Sequence, residues 1–99
     1  MTTCSTHVLD AALGAPARGV QVRLGEEEAT TDADGRVRFD AELAAGEHTL
    51  TFATGEWFAA AGRETFYPAV TVTFAVEDQA HVHVPLLLSP YSYTTYRGS

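Results

Sequence analysis

Short runs of alternating or β-branched residues, separated by turn residues, recur along the chain and constrain its fold more than any other feature. Val20–Leu24 places its apolar side chains on one face and Gln21 and Arg23 on the other, which is the pattern of a half-exposed strand. The same pattern predicts further strands over Thr6–Leu9, Ala29–Thr31, Val37–Phe39, Glu47–Phe52, Val70–Val76 and Ala80–Leu88, with Tyr91–Tyr96 as a closing aromatic and β-branched stretch.

One segment has helix-favouring composition, and two have the composition of turns. Glu56–Gly62 is the helical candidate, with Thr54 as a possible cap and Gly62 as a possible terminator. Asp32–Gly35 is a strong turn signal, because Asp-Gly readily supplies the positive φ of a tight connection. Gly25–Glu28 predicts an acidic, solvated hairpin tip.

The length of 99 residues fits a single domain covering positions 1–99. Seven or eight strands with one short helix favour an all-β fold of two packed antiparallel sheets. Pro85 argues that its strand occupies an edge, a bulge or an interface, because proline cannot donate to a ladder. A domain this small has a thin core, so self-association is expected to add burial.

The net charge indicates which partners the protein can bind, and the single cysteine indicates its cellular compartment. Thirteen acidic and six basic residues give a net charge of −7, and there is no run of cations. Nucleic acid and anionic membrane surfaces bind clustered cations, so neither is an expected partner. No apolar run approaches the roughly 20 residues of a membrane span, and no leader pattern opens the chain. Cys4 cannot form an internal disulfide, which fits a reducing compartment, and we expect a cytoplasmic protein.

Histidine and arginine are the side chains most able to do chemistry here. His81 and His83 share one strand face, either as half-exposed surface residues or as a functional pair. With His7 they would form an open three-histidine zinc site, although no cysteine pair or suitably spaced carboxylate supports that alternative. Taken singly, His7 is typical of a structural residue, and Arg36, at the exit of the Asp-Gly turn, of a solubilising charge.

Covalent catalysis is not expected. Cys4 is too close to His7 along an extended strand to pair with it, and no Gly-x-Ser-x-Gly elbow is present. The residues instead permit histidine general acid–base chemistry, with arginine stabilising charge.

Three segments together resemble one family. His81–Ser99, which ends in Tyr-Arg-Gly-Ser, is similar to the signature of the 5-hydroxyisourate hydrolases, the transthyretin-related proteins of urate breakdown. Ser5–Asp10 and Thr31–Arg36 look like the family's other two motifs in the same order, and Phe66–Pro68 stands where the family has a similar segment. Ser92 and Thr94 replace the more usual glycine and serine of the tail, at positions that carry no catalytic role.

The resemblance implies a transthyretin-like (prealbumin-like) sandwich that hydrolyses 5-hydroxyisourate to 2-oxo-4-hydroxy-4-carboxy-5-ureidoimidazoline. We expect no cofactor and assign no metal ligands. It implies a homotetramer, a dimer of dimers with clefts at the dimer–dimer interface. It also implies an active site lined by His7, Arg36, His83, Tyr96, Arg97, Gly98 and Ser99. His83, rather than His81, matches the family's catalytic histidine.

We hypothesise the following roles for these residues. His7 and His83 share the acid–base work, Arg36 holds the substrate and its developing oxyanion, and Ser99 orients a substrate oxygen. The alternative is a non-catalytic transthyretin-like module, either an interaction domain, since Thr31–Phe39 also resembles prealbumin-like surface domains, or a carrier of an apolar hormone. Neither alternative explains His7, His83 and the closing tail together.

Overall fold

A computed structural model describes residues 1–99 as two β-sheets packed against each other, with one helix. The elements in chain order are β1 (Thr3–Asp10), β2 (Ala15–Pro16), β3 (Gln21–Leu24), β4 (Glu27–Thr30), β5 (Arg36–Arg38), β6 (Gly46–Phe52), α1 (Thr54–Ala60), β7 (Val70–Val76), β8 (His81–Ser89) and β9 (Ser92–Thr95). The predicted two-sheet, mostly β fold with one short helix is confirmed. The strand beyond the expected number is the two-residue β2.

The first sheet has five strands in the order β2-β1-β8-β9, with β5 also paired to β1. The second sheet has four strands in the order β4-β3-β6-β7. Every pair is antiparallel except β1 with β8, which run parallel. The sequence predicts antiparallel sheets, and this pair differs. It can be parallel because β1 and β8 come from opposite ends of the chain and no hairpin joins them.

The core lies between the sheets and is built from alternating positions. Along β1 the residues Cys4, Thr6, Val8 and Asp10 are buried, while the intervening side chains are only partly buried. Seventeen buried hydrophobic residues form one cluster in the interior. The inner face of β1 is therefore committed to packing, and its outer face is available for a site.

The helix begins earlier than the sequence predicts. It covers Thr54–Ala60, its N-cap position is Ala53, and no side chain caps it. Thr54 as a cap is therefore wrong, since its hydroxyl instead donates to the carbonyl of Tyr67 at 3.2 Å. Gly62 follows the helix with φ +68°, a conformation suited to ending it, as expected. No helix has the length and apolar character that crossing a membrane requires.

Pro85 lies in a central strand rather than at an edge. Strand β8 is flanked by β1 and β9, and Pro85 is opposite His7 in β1. The ladder to β9 ends at Leu86, and pairing with the tail resumes only at an isolated bridge between His83 and Gly98. The edge position is therefore wrong, but the strand is incompletely paired at Pro85, which has no N–H to donate.

The predicted solvated hairpin tip is shorter than Gly25–Glu28. Glu27 is already part of β4, and its carboxylate accepts the backbone N–H groups of Asp40 at 2.9 Å and Ala41 at 2.8 Å. Glu27 therefore ties the second sheet to the chain leaving β5 instead of simply facing water.

Candidate active site

The pairing of β1 with its two neighbours brings the candidate residues into one row. His7 is opposite Arg36 of β5, and Ser5 is opposite His83 of β8. Residues paired side by side in a sheet point to the same face. The face is the outer one, because the burial of β1 alternates with Thr6 and Val8 inside. The sequence predicted this facing for His81 and His83, and the structure confirms it.

The Asp-Gly turn fixes the point from which Arg36 extends. Gly35 has φ +77°, and its N–H donates to the carbonyl of Asp32 at 2.9 Å. A Cβ on Gly35 would lie 2.3 Å from the carbonyl oxygen of Val8, so only glycine lets the turn pack on β1. The Asp32 carboxylate accepts the N–H groups of Asp34 at 2.9 Å and Arg36 at 3.0 Å. The hydrogen bond from Arg36 holds the pKa of Asp32 below its ordinary value.

A cleft of about 420 Å³ lies over this face of the first sheet. Its walls are formed by Ser5, Thr6, Asp32, Arg36, Val37, Arg38, His81, His83 and Ser99. Val37 is the single hydrophobic residue among these nine. The cleft therefore offers many polar side chains to a small polar molecule.

The C-terminal tail packs directly on His83. The N–H of Gly98 donates to the carbonyl of His83 at 2.9 Å. A Cβ on Gly98 would lie 2.5 Å from Cδ2 of His83 and 3.0 Å from Cγ of Pro85. The absence of a side chain therefore allows the tail to cover the imidazole, and the next residue, Ser99, reaches the cleft wall.

The remaining predicted residues lie beside the cleft rather than in its walls. Tyr96 and Arg97 line a neighbouring cavity of about 470 Å³, which shares His83 with the cleft. His7 is half-buried next to Arg36, and when protonated it lowers the pKa of His83. The structure thus brings Arg36, His83 and Ser99 into one cleft and places the others around it.

The surroundings of His83 favour its neutral form. Burial lowers the pKa of His83, and repulsion from the charge of Arg36, and from His7 and His81 when they are protonated, lowers it further. A neutral imidazole at neutral pH can accept a proton from water, which an imidazolium cannot. The electrostatics therefore suit His83 to the role of a general base.

The two histidines of β8 are joined through a hydroxyl that the sequence reasoning missed. Ser5 Oγ lies 2.8 Å from Nε2 of His81 and 2.7 Å from Nδ1 of His83. Nδ1 of His81 lies 2.6 Å from Oγ1 of Thr3. The available signal was the spacing of Ser5, two residues before His7 on the same strand face.

The three-histidine arrangement considered from the sequence is not formed in this chain. No group of three or more histidine, cysteine, aspartate or glutamate side chains is placed to hold a metal ion. Both ring nitrogens of His81 instead contact hydroxyl groups, those of Thr3 and Ser5.

The cleft also contains a second arginine, which the sequence does not predict as a site residue. Arg38 follows Arg36 by two residues in β5 and lines the same cleft. The two ion pairs of the structure use Arg23 and Arg63, so neither arginine of the cleft has a carboxylate partner. Both guanidinium groups are therefore available to a polar or anionic ligand.

Comparison with known proteins gives consistent matches over the whole chain. Residues 4–98 match the model of the HIUase/Transthyretin family. The 5-hydroxyisourate hydrolase of Caulobacter vibrioides is 47% identical over 115 aligned positions, which cover 100% of both chains. The structure of Klebsiella pneumoniae 5-hydroxyisourate hydrolase has a TM-score of 0.90 and 44% identity, and the match covers 98% of this chain and 99% of that one. Sea bream transthyretin, solved in complex with thyroxine, has a TM-score of 0.86 and 26% identity, with 96% and 93% covered.

Proposed function

The chain belongs to the HIUase/Transthyretin family, and we propose that it is a 5-hydroxyisourate hydrolase of that family. It opens the ring of 5-hydroxyisourate with water to give 2-oxo-4-hydroxy-4-carboxy-5-ureidoimidazoline, a step in urate degradation. The observation that carries this function is the polar cleft in which neutral His83 lies with Arg36 and the closing tail. No metal or cofactor enters the proposal.

Hydrolysis of a cyclic amide needs an activated water and a positive charge where the oxyanion develops. His83 accepts the proton of the attacking water, since burial and neighbouring cations keep its imidazole neutral. Arg36 binds the polar substrate and stabilises the oxyanion, because its guanidinium makes no ion pair within the chain. A preorganised donor of this kind contributes on the order of 10²–10³ in rate.

The other residues of the proposed site complete the reaction and hold the substrate. His7, beside Arg36 on the same face, shares the acid–base work by returning a proton to the leaving nitrogen. The hydroxyl of Ser99, in the cleft wall, orients a substrate oxygen. Tyr96, Arg97 and Gly98 form the rest of the substrate-binding tail, and the packing of Gly98 on His83 supports its inclusion.

The polarity of the cleft argues against the non-catalytic alternatives. A carrier of an apolar hormone needs an apolar pocket, whereas eight of the nine lining residues here are not hydrophobic. An interaction module gives no reason for a neutral histidine, two unpaired arginines and the tail to meet in one cleft.

The decisive experiment is a direct assay. Fresh 5-hydroxyisourate is generated from urate with urate oxidase, and its ultraviolet decay is followed with and without the protein. We expect clear acceleration by the unaltered chain and nearly complete loss in His83→Ala. His48→Ala is the matched control, because His48 lies on β6 of the other sheet. Decay at the spontaneous rate with the unaltered chain would overturn the proposed function.

A homotetramer, arranged as a dimer of dimers, and a cytoplasmic location are also part of the proposal. Strands β7 and β9 end their sheets, so each presents unpaired backbone groups to a second copy. Phe66 and Tyr91 add large aromatic surface, being 72% and 64% exposed. The lone cysteine, Cys4, is buried and unpaired, which fits a reducing compartment.

A further inference from the structure

His83 ends a continuous chain of hydrogen-bonding side chains that the mechanism above does not use. From the cleft outward, the chain runs from His83 Nδ1 to Ser5 Oγ at 2.7 Å and on to His81 Nε2 at 2.8 Å. It continues from His81 Nδ1 to Thr3 Oγ1 at 2.6 Å, and Thr3 Oγ1 lies 3.3 Å from the carbonyl of Ala80. Nε2 of His83 makes no hydrogen bond within the protein and is left for the cleft.

The hydrogen bonds of this series can point in only two ways, because each hydroxyl has one proton and each neutral imidazole has one N–H. If Thr3 donates to His81, then His81 donates to Ser5, Ser5 donates to Nδ1 of His83, and the proton of His83 is on Nε2. If Thr3 donates to Ala80, every step reverses, and the proton of His83 is on Nδ1.

The backbone carbonyl of Ala80 favours the second direction. A carbonyl can only accept, so it orients the Thr3 hydroxyl toward itself and leaves Oγ1 to accept from His81 Nδ1. All four contacts of the chain are then hydrogen bonds, whereas in the first direction the contact between Thr3 and Ala80 is lost. The second direction thus makes one more hydrogen bond than the first.

We propose that Ser5 and His81 are positioning residues that hold the proton of His83 on Nδ1 and so leave Nε2 bare toward the cleft. This inference rests on the proposed function, since it names the nitrogen that accepts the proton of water. Gly98 fixes the same ring from its other side, because its backbone packs against Cδ2 of His83. The imidazole is therefore held both in orientation and in tautomer.

The tautomer is measured directly in ¹⁵N-histidine-labelled protein, at a pH where His83 is neutral, from the ¹⁵N shifts of its two ring nitrogens. We expect the unaltered protein to carry the proton on Nδ1. Ser5→Ala and His81→Ala should shift the population toward the form protonated on Nε2. Ser5→Thr keeps the hydroxyl and should keep the Nδ1 proton, and His48→Gln, on the other sheet, should leave His83 unchanged.

Turnover of 5-hydroxyisourate gives the second readout. In Ser5→Ala and His81→Ala we expect kcat to fall about tenfold, the scale of one lost hydrogen bond, with KM changed by less than about twofold. Ser5→Thr should recover most of kcat. A merely structural role would lower stability without changing the tautomer, and equilibrium unfolding in urea separates the two cases.

The possible outcomes separate this inference from the proposed function. A proton on Nε2 of His83 in the unaltered protein, or an unchanged tautomer in Ser5→Ala, overturns the inference whatever the activity. A proton on Nδ1 that is lost in Ser5→Ala supports the positioning role. If that result comes with no hydrolysis by the unaltered protein, the proposed function fails while the tautomer assignment stands.

Discussion

At the scale of single residues, the contact between Gly98 and His83 leaves no room for a side chain. A Cβ at position 98 would lie 2.5 Å from Cδ2 of His83 and 3.0 Å from Pro85. Gly98→Ala should therefore push the tail and the imidazole apart. Because a misplacement of about 1 Å costs on the order of 10²-fold in rate, we expect kcat for 5-hydroxyisourate to fall 10- to 100-fold.

Stability should change little in Gly98→Ala, since the tail is at the surface and can move away from the sheet. Thr94→Ala is the control, because Thr94 is exposed in β9 and precedes the contact. Stopped-flow kinetics of both variants check the expectation. Unchanged turnover in Gly98→Ala would mean that the position of the tail on His83 does not matter for catalysis.

The pKa of His83 determines how activity depends on pH. Burial first, and then the charge of Arg36 and those of His7 and His81 when protonated, hold the pKa of His83 below the ordinary value of about 6.5. A base works only when deprotonated, so kcat/KM should stay level as pH falls through 6.5 and should decline only at lower pH. The unfolded chain also binds the proton more readily, so stability decreases as pH drops below about 6.5.

The charge of Arg36 provides the test of this assignment. Arg36→Gln removes one of the cations that oppose protonation, so the pKa of His83 should rise, and an NMR titration of the ring measures it. Arg23→Gln is the control, because Arg23 pairs with Glu28 on the other sheet. An acid limb above pH 6.5 in the unaltered enzyme, or no shift in Arg36→Gln, would contradict the assignment.

The sequence predicts some of the site residues because local rules place them. The period of two puts His81 and His83 on one face, and the Asp-Gly turn puts Arg36 at a rigid corner. The sequence does not predict Ser5 as a site residue, because its hydrogen-bond partners come from β8, 76 and 78 positions further along the chain. Only the parallel register of β1 with β8 creates that contact, and no local pattern specifies it.

At the scale of elements, the pair between Asp10 and Arg63 joins the end of β1 to the segment after α1. Asp10 is almost fully buried, with its side chain 2% exposed, and it accepts from Nη1 of Arg63 at 2.6 Å. Burial opposes ionisation of Asp10, but the hydrogen bond from Arg63 holds its pKa below the ordinary value. Arg63→Met should destabilise the fold by about 3 kcal/mol, because it leaves a buried carboxylate without its partner.

Urea unfolding of the Arg63→Met variant measures the loss. Arg23→Met removes an exposed pair, whose side chains are 59% and 64% accessible, and should leave the urea midpoint nearly unchanged. The cost of Arg63→Met should shrink as pH falls, because burial without Arg63 raises the pKa of Asp10. The carboxyl of the variant is then protonated at a pH where the unaltered protein still has the ion pair. If Arg63→Met and Arg23→Met lost equal stability, the burial of Asp10 would not explain the strength of its ion pair.

Strands and helices are predicted well where neighbouring residues determine them, and poorly where contacts with distant residues do. Alternation specifies β3, where Val22 and Leu24 are buried and Gln21 and Arg23 are exposed. The cap of α1 was misjudged because Thr54 hydrogen-bonds to Tyr67, a partner 13 positions away. The missing N–H of Pro85 predicts an edge, a bulge or an interface, and the sequence does not distinguish these alternatives because the pairing around Pro85 depends on the distant tail.

At the scale of the whole molecule, the charge of the chain is unevenly placed. The net charge is −7, yet the cleft contains two arginines without carboxylate partners. A substrate with developing negative charge therefore meets local cations on an acidic protein. The remaining surface is strongly acidic, and that surface would have to approach its own copies in the proposed tetramer.

Salt should therefore strengthen the assembly. Raising the ionic strength from about 0.01 M to about 0.1 M shortens the screening length from about 30 Å to about 10 Å, which weakens repulsion between chains of net charge −7. Burial of aromatic surface such as Phe66 and of the edges β7 and β9 is not weakened by salt. We expect sedimentation velocity to give about four times the 10.6 kDa of one chain, with dissociation on dilution occurring first at low salt. A single-chain mass at micromolar concentration in 0.1 M salt would contradict the tetramer. If added salt instead promoted dissociation, attraction between opposite charges would be what holds the chains together.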